Sequence, residues 1–117
     1  MISILSTSPY SVIKVASTLA NTLKATYHRG FFNPQSLSKN VIIIGNPDYH
    51  LTWLIQSIKN RNIIIYIVCE GKLINKSFIY PHLKDKIIIT PSKYVKTKLE
   101  EIDIHVSEII PHAITTF

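Results

Sequence analysis

The stretch IIITPSKYVKTKLEEIDIHVSEIIPHAI, Ile87 to Ile114, decides how the chain is read. Ile87 to Ile89 form an apolar run with no polar alternation, the mark of a strand buried on both faces. Ser92 follows a Thr-Pro step and is placed to accept a hydrogen bond from a free backbone N–H of a following helix. Val95, Leu99 and Ile102 recur at helical spacing and give that helix a buried side. Ser107 to Ile110 returns to strand character, and Pro111 leads the chain out.

The same alternation runs through the rest of the sequence. Ile2 to Leu5 reads as a strand, Ser6 to Pro9 as a loop. Val12, Ala16, Leu19, Ala20 and Leu23 then mark one face of a helix, with a serine and a proline at its start. Thr26 to Phe32 reads as a second strand interrupted by Gly30, and residues 33–36 as a turn. Val41 to Ile44 is a strand that exits into Gly45-Asn46-Pro47-Asp48. Leu51, Leu54, Ile55 and Ile58 line the next helix, which ends near Arg61-Asn62. Ile63 to Val68 is a strand exiting into Cys69-Glu70-Gly71. Leu73 to Tyr80 reads as a short helix stopped by Pro81.

Strands alternating with amphipathic helices imply right-handed βαβ units. The expectation is a single domain over 1–117, an α/β Rossmann-like three-layer sandwich with a mainly parallel sheet in the order 2-1-3-4-5-6. In such sheets ligands bind beyond the carboxyl ends of the strands, where the winding reverses. That point falls between strands one and three, so the loops Ser6 to Ser11 and Gly45 to His50 matter first. Glu70 and Ser92 stand at the neighbouring strand ends.

Composition narrows the function classes. The 117 residues include 22 isoleucines, and the net charge is +6 with a pI near 9.5. A basic balance favours anionic partners, but the cations are scattered and no nucleic-acid recognition motif occurs, so a nucleic-acid partner is not expected. The sole cysteine, Cys69, excludes an intrachain disulfide and fits a reducing, cytoplasmic setting. The longest apolar run, Ile63 to Cys69, is far short of the roughly 20 residues of a spanning helix. At most a peripheral membrane contact is expected. No G-x-x-x-x-G-K-S/T and no G-x-G-x-x-G is present, which argues against the common ATP and NAD sites. The five histidines lack ligand spacing, so no metal is expected.

The order and wording of Ile87 to Ile114 resemble the end of the N-terminal domain of GT-B glycosyltransferases of the group 1 (family 4-like) type. There a strand leads to S-x-x-V/L-x-x-x-L, a short strand and I-P-x-G/A. The present T-P-S-K-Y-V and I-P-H-A-I stand at those places, with alanine for the usual glycine. The resemblance implies the acceptor-side half of an enzyme that moves a sugar from a nucleotide-sugar donor to a lipid, glycan or protein hydroxyl. It also implies that no cofactor is held by this domain alone. The donor would be held by a missing C-terminal domain or partner chain, and 117 residues alone would be inactive. An anionic membrane surface is an implied partner of a lipid-linked acceptor. The open cleft and last strand predict a tendency to form homodimers.

Candidate site residues follow from the topology and the resemblance together. Ser6, Thr7, Ser8 and Ser11 offer hydroxyls beside a helix N-terminus that suits a phosphate or a sugar hydroxyl, although the glycines usual in that loop are missing. Asn46, Asp48 and His50 follow strand three. Asp48 and His50 read either as a polar pair facing the cleft or as turn and cap residues. Glu70 stands where the family often places a residue facing the reacting sugar, and a carboxylate there would orient an acceptor hydroxyl or take its proton. Ser92 reads as a cap, Lys93 as a charge for a phosphate, and His112 as a residue near the domain cleft. Trp53, off its helix's apolar stripe, is expected to be partly buried. The alternative reading is a stand-alone flavodoxin-like binding or interaction module with no catalysis.

Overall fold

Six strands form one all-parallel sheet in the order β2-β1-β3-β4-β5-β6 in the computed structural model. It describes residues 1–7, 10–28, 32–58, 60–68 and 81–111, and for residues 10 and 11 the backbone alone. The strands are β1 (Ile2–Ser6), β2 (Thr26–His28), β3 (Asn40–Gly45), β4 (Asn62–Ile67), β5 (Ile87–Thr90) and β6 (Glu108–Ile109). The helices are α1 (Tyr10–Leu23), α2 (Tyr49–Ser57) and α3 (Lys93–Glu100), with a short 3-10 turn at Pro34–Ser36. The expected sheet order is therefore observed, and the sheet is parallel throughout the described strands. Two strands are shorter than expected. Phe32 lies outside β2, and β6 keeps only Glu108 and Ile109. The helix expected at Leu73 to Tyr80 lies outside the described residues, but residues 81–83 are helical, so Pro81 stands within a helical turn instead of ending one.

Register explains why isoleucine dominates. Leu5 pairs with Ile43, Ile43 with Ile65, and Ile65 with Ile88. Paired residues of a parallel sheet point to the same side, so these four make one transverse apolar row, each almost fully buried. Val41, Ile63 and Ile67 belong to the same face. Leu51, Leu54, Ile55 and Ile58 of α2 pack against it together with Val95 and Leu99 of α3. The neighbouring row, Ile4, Ile42, Ile64 and Ile87, faces the other way, toward α1. There Val12, Ala16 and Ala20 cover Ile4 and Ile44.

Crossover handedness divides the cover unequally. The step from β1 to β2 runs one way along the sheet, and right-handedness puts α1 on one face. The steps from β3 to β4 and from β5 to β6 run the other way and put α2 and α3 on the opposite face. Phe32 and Leu37, from the connection between β2 and β3, also pack on the α2 side. On the α1 side the row passes from Ile4, fully buried, to Ile87, which is 51% exposed.

The helices begin and end on local chemistry. Asp48 and Ser92 cap α2 and α3, their side chains accepting the Leu51 and Val95 N–H groups. α1 and α3 each close through a residue in the left-handed region, Lys24 (φ 53°) and Asp103 (φ 64°). The N–H groups of Ala25 and Ile104 then reach back to the Ala20 and Leu99 carbonyls.

Ile65→Ala removes a side chain from the middle of the buried row and should cost about 2–5 kcal/mol in urea unfolding. Ile87→Ala, on the open side of the same sheet, should cost less than about 1 kcal/mol. Equal losses would contradict the unequal cover.

Candidate functional site

The carboxyl rim of the sheet is built by ladders that run one residue past the strands. The Thr7 N–H donates to the Ile44 carbonyl (3.0 Å), Val68 N–H to Gly45 (3.1 Å) and Ile110 N–H to Thr90 (2.8 Å). These bonds fix Thr7, Gly45, Val68, Thr90 and Ile110 as one edge. The winding reverses between β1 and β3, where Thr7 meets Gly45, and this is the end of such sheets at which ligands bind.

That meeting is close. A Cβ added to Gly45 would stand 2.5 Å from Thr7 Cγ2 and 2.7 Å from its Oγ1. Gly45 is thus glycine because the Thr7 side chain occupies the space. Thr7 is fully buried and its hydroxyl has no hydrogen-bond partner among the described residues. A buried hydroxyl left unpaired is costly, and this one sits at the topological switch point.

The other expected residues divide by what they already hold. The Ser6 hydroxyl hydrogen-bonds the Tyr27 hydroxyl at 2.5 Å. Asp48 Oδ1 accepts the Leu51 N–H at 2.9 Å, which takes up half of its carboxylate in capping α2. Asn46 shapes the turn, its carbonyl accepting the Asp48 N–H at 2.9 Å. His50 lies against the Trp53 ring, centroids 6.2 Å apart, rather than forming a polar pair with Asp48. The Ser92 Oγ accepts the Val95 N–H at 3.3 Å and keeps its own proton to donate, while the Thr90 hydroxyl donates to the Ser92 carbonyl at 3.3 Å. Lys93 is exposed at the first position of α3. Ser8, Glu70 and His112 lie outside the described residues, as does the side chain of Ser11.

β3 and β5 flank β4, so the Asp48 and Ser92 caps follow the strands on either side of it. Among the described residues the rim offers one carboxylate oxygen, a serine proton and a lysine charge. Among the described residues no group of His, Cys, Asp and Glu is arranged to hold a metal, and no helix is long and apolar enough to cross a membrane.

Some residues that shape this edge are not evident from motifs. Tyr66 projects to the α1 side of β4, and its hydroxyl donates to the Ile110 carbonyl at 2.5 Å, tying β4 to the exit of β6. Burial pushes its pKa up to about 12. The signal available in sequence is that Tyr66 is the one polar-tipped residue within the run IIIYI, residues 63–67, and buried tyrosines usually seek a hydroxyl partner. Trp53 is 56% exposed, against the expectation of partial burial, because α2 turns only its Leu51, Leu54, Ile55 and Ile58 stripe to the core. A depression of about 580 Å³ lies at the opposite, amino end of the sheet, on the apolar floor of Ile2, Ile42, Ile64 and Ile87 beside Arg61 and Lys86. It reflects incomplete cover of one face and stands away from the carboxyl ends where α/β sheets keep their ligands.

No protein-family model matches the chain, and no curated protein or solved structure matches it significantly. The fold stands on the geometry above: an α/β, all-parallel, Rossmann-like sheet whose winding reverses between β1 and β3.

Gly45→Ala should cost about 1–3 kcal/mol by overpacking, and much less in a Thr7→Gly background. A double-mutant cycle by chemical unfolding measures the coupling, and additive losses would show that Thr7 is not the obstacle. Tyr66 stays neutral in the fold while an unfolded tyrosine ionises near pH 10. Its contribution is complete below pH 10 and is lost as the pH rises toward about 12. Alkaline absorbance titration should show one late-ionising tyrosine, absent from Tyr66→Phe.

Proposed function

We propose that this chain is the acceptor-side domain of a GT-B glycosyltransferase, working with a second, donor-binding domain or partner. The observation that carries the reading is the segment β5–α3–β6. Its wording resembles the family, and it is laid out as strand, Ser92-capped helix and short strand at the edge of a 2-1-3-4-5-6 parallel sheet. The T-P-S-K-Y-V phrase then stands at the carboxyl rim, at the exit of β5. In this reading an acceptor hydroxyl is held over the ends of β3, β4 and β5. Its oxygen bonds to the anomeric carbon of the donor sugar, the bond from that carbon to the nucleoside diphosphate breaks, and the hydroxyl proton passes to a base. Glu70, at the exit of β4 in sequence, is the proposed base or orienting group. Ser92 and Lys93 are proposed to steady the acceptor or a phosphate. The acceptor is a lipid, glycan or protein hydroxyl, and the setting is cytoplasmic.

A stand-alone binding module is the second reading. It is favoured by the capping duties of Asp48 and Ser92 and by the Ser6–Tyr27 hydrogen bond, which leave few rim groups wholly uncommitted.

The test is sugar transfer from nucleotide-sugar donors by the native polypeptide together with whatever donor domain or partner accompanies it. Glu70→Gln should lower kcat by about 10²–10⁴ if Glu70 is the general base, and residues 1–117 alone should show no turnover. Unchanged turnover in Glu70→Gln removes Glu70 from the chemistry. Absence of nucleotide-sugar binding by the complete assembly favours the binding module.

A further inference from the structure

Cations that lie scattered along the sequence stand in one kind of place in the fold. Lys24 comes two residues before β2, Lys39 directly before β3, Arg61 directly before β4 and Lys86 directly before β5. The strands are all parallel, so their starts share one edge of the sheet, and the fold gathers there what the sequence spreads out. Lys24 and Lys39 are exposed, and Arg61 and Lys86 are half-buried. Of the seven acids only Asp48 precedes residue 69, and it caps α2 at the opposite rim. Asp85 accepts a hydrogen bond from Lys86 at 3.0 Å, and the row of four cations still carries an excess of positive charge.

Beside this row lies the depression of about 580 Å³, with its isoleucine floor and with Arg61 and Lys86 in its lining. Asn40 and Asn62 line it too, joined by a hydrogen bond from Asn62 Nδ2 to Asn40 Oδ1 (3.0 Å). Both residues are exposed, and the bond leaves the Asn40 amino group and the Asn62 side-chain carbonyl as a donor and an acceptor for a guest. Arg61 directs one N–H to the Pro34 carbonyl (2.8 Å) and keeps the other donors of its guanidinium. The trough therefore joins three chemistries: an apolar floor, an amide pair and a basic edge.

We propose that this amino edge of the sheet binds a short stretch of single-stranded nucleic acid, its phosphates on the row of cations and a base laid on the isoleucine floor. A base has an apolar face and a polar edge, and the amide pair supplies the donor and acceptor that a base edge requires. Phosphate contacts from lysine and arginine give affinity without reading sequence, which fits cations drawn from the starts of four strands without a recognition motif. A duplex keeps its bases stacked inside and cannot lay one on the floor. An acidic protein fits less well, because protein interfaces are depleted in lysine. The edge lies at the end of the sheet away from Thr7 and Gly45, so the proposal does not rest on sugar transfer.

The test is fluorescence anisotropy of a labelled single-stranded DNA of about ten nucleotides, titrated with the full chain. Binding should weaken steeply with salt, and a duplex of the same sequence should bind less tightly. Lys39→Glu with Lys86→Glu should weaken binding about tenfold or more and lower the salt slope by about 2, one for each phosphate contact. Lys96→Glu with Lys98→Glu makes the same change of charge on α3 and should leave most of the affinity. Ile87→Ser, at a half-exposed position, should narrow the preference for single strand over duplex while the salt slope stays the same. Circular dichroism confirms that each variant is folded. The proposal is overturned if no binding is detected, if the duplex binds as tightly as the single strand, or if the two double charge reversals weaken binding equally, because net charge alone would then explain it. It is likewise overturned if polyglutamate of equal length displaces the DNA as well as the unlabelled strand does, which would mark an acidic protein as the occupant. Equal displacement by a free mononucleotide would overturn it in favour of a nucleotide pocket.

Discussion

The transverse row Leu5, Ile43, Ile65 and Ile88 is the constraint on which the fold depends. It sets the register of four strands at once, because a slip of one residue in any strand would turn its buried set to the opposite face. With β3 and β4 in place at the centre, the carboxyl ends of β1, β3, β4 and β5 come level, and the rim exists as a single edge. The caps of α2 and α3 depend on that alignment. Asp48 and Ser92 stand where strands end, and each turns a strand exit into a helix start by satisfying an orphan N–H.

The unequal cover of the two faces follows from the same order. A sheet wound once toward β2 and repeatedly toward β6 sends most of its connections to one side. The face under α2 and α3 is closed by two helices and the β2–β3 connection, while among the described helices the other face has α1 alone. Isoleucine on both sides of β3, β4 and β5 is the composition of a sheet meant to be enclosed twice. Ile87 at the open end is therefore a residue whose sequence context calls for cover that α1 is too far away to supply.

Much of the architecture was legible because most strands are unalternated isoleucine runs and α2 and α3 start on polar caps. Asp48 and Ser92 were readable as caps from their place before an apolar stripe, and both cap. The helix ends were harder to read. α1 and α3 close through Lys24 and Asp103 in a left-handed conformation that sequence rules assign to glycine. β2 is short, pairs on one side only and lacks the isoleucine signature, so its extent could not be read. The site was less legible than the fold. Hydroxyls and charges near strand ends can be named from sequence, but Ser6 meeting Tyr27 and His50 leaning on Trp53 depend on contacts across 21 residues and on the rotation of one helix. Trp53 is more exposed than partial burial predicts for that last reason, keeping only the edge of Phe32 and the His50 ring against it.

The closeness of Thr7 to Gly45 reaches beyond stability. A Cβ at position 45 meets two terminal atoms of the threonine below 3 Å and its Cβ at 3.1 Å, so even an alanine at position 7 leaves the space tight. The two positions, 38 residues apart in the chain, form one inherited unit. In descendants of this sequence that keep the register, position 45 can acquire a side chain only after position 7 has lost most of its own. The order of those changes is fixed, because the reverse order passes through an overpacked intermediate.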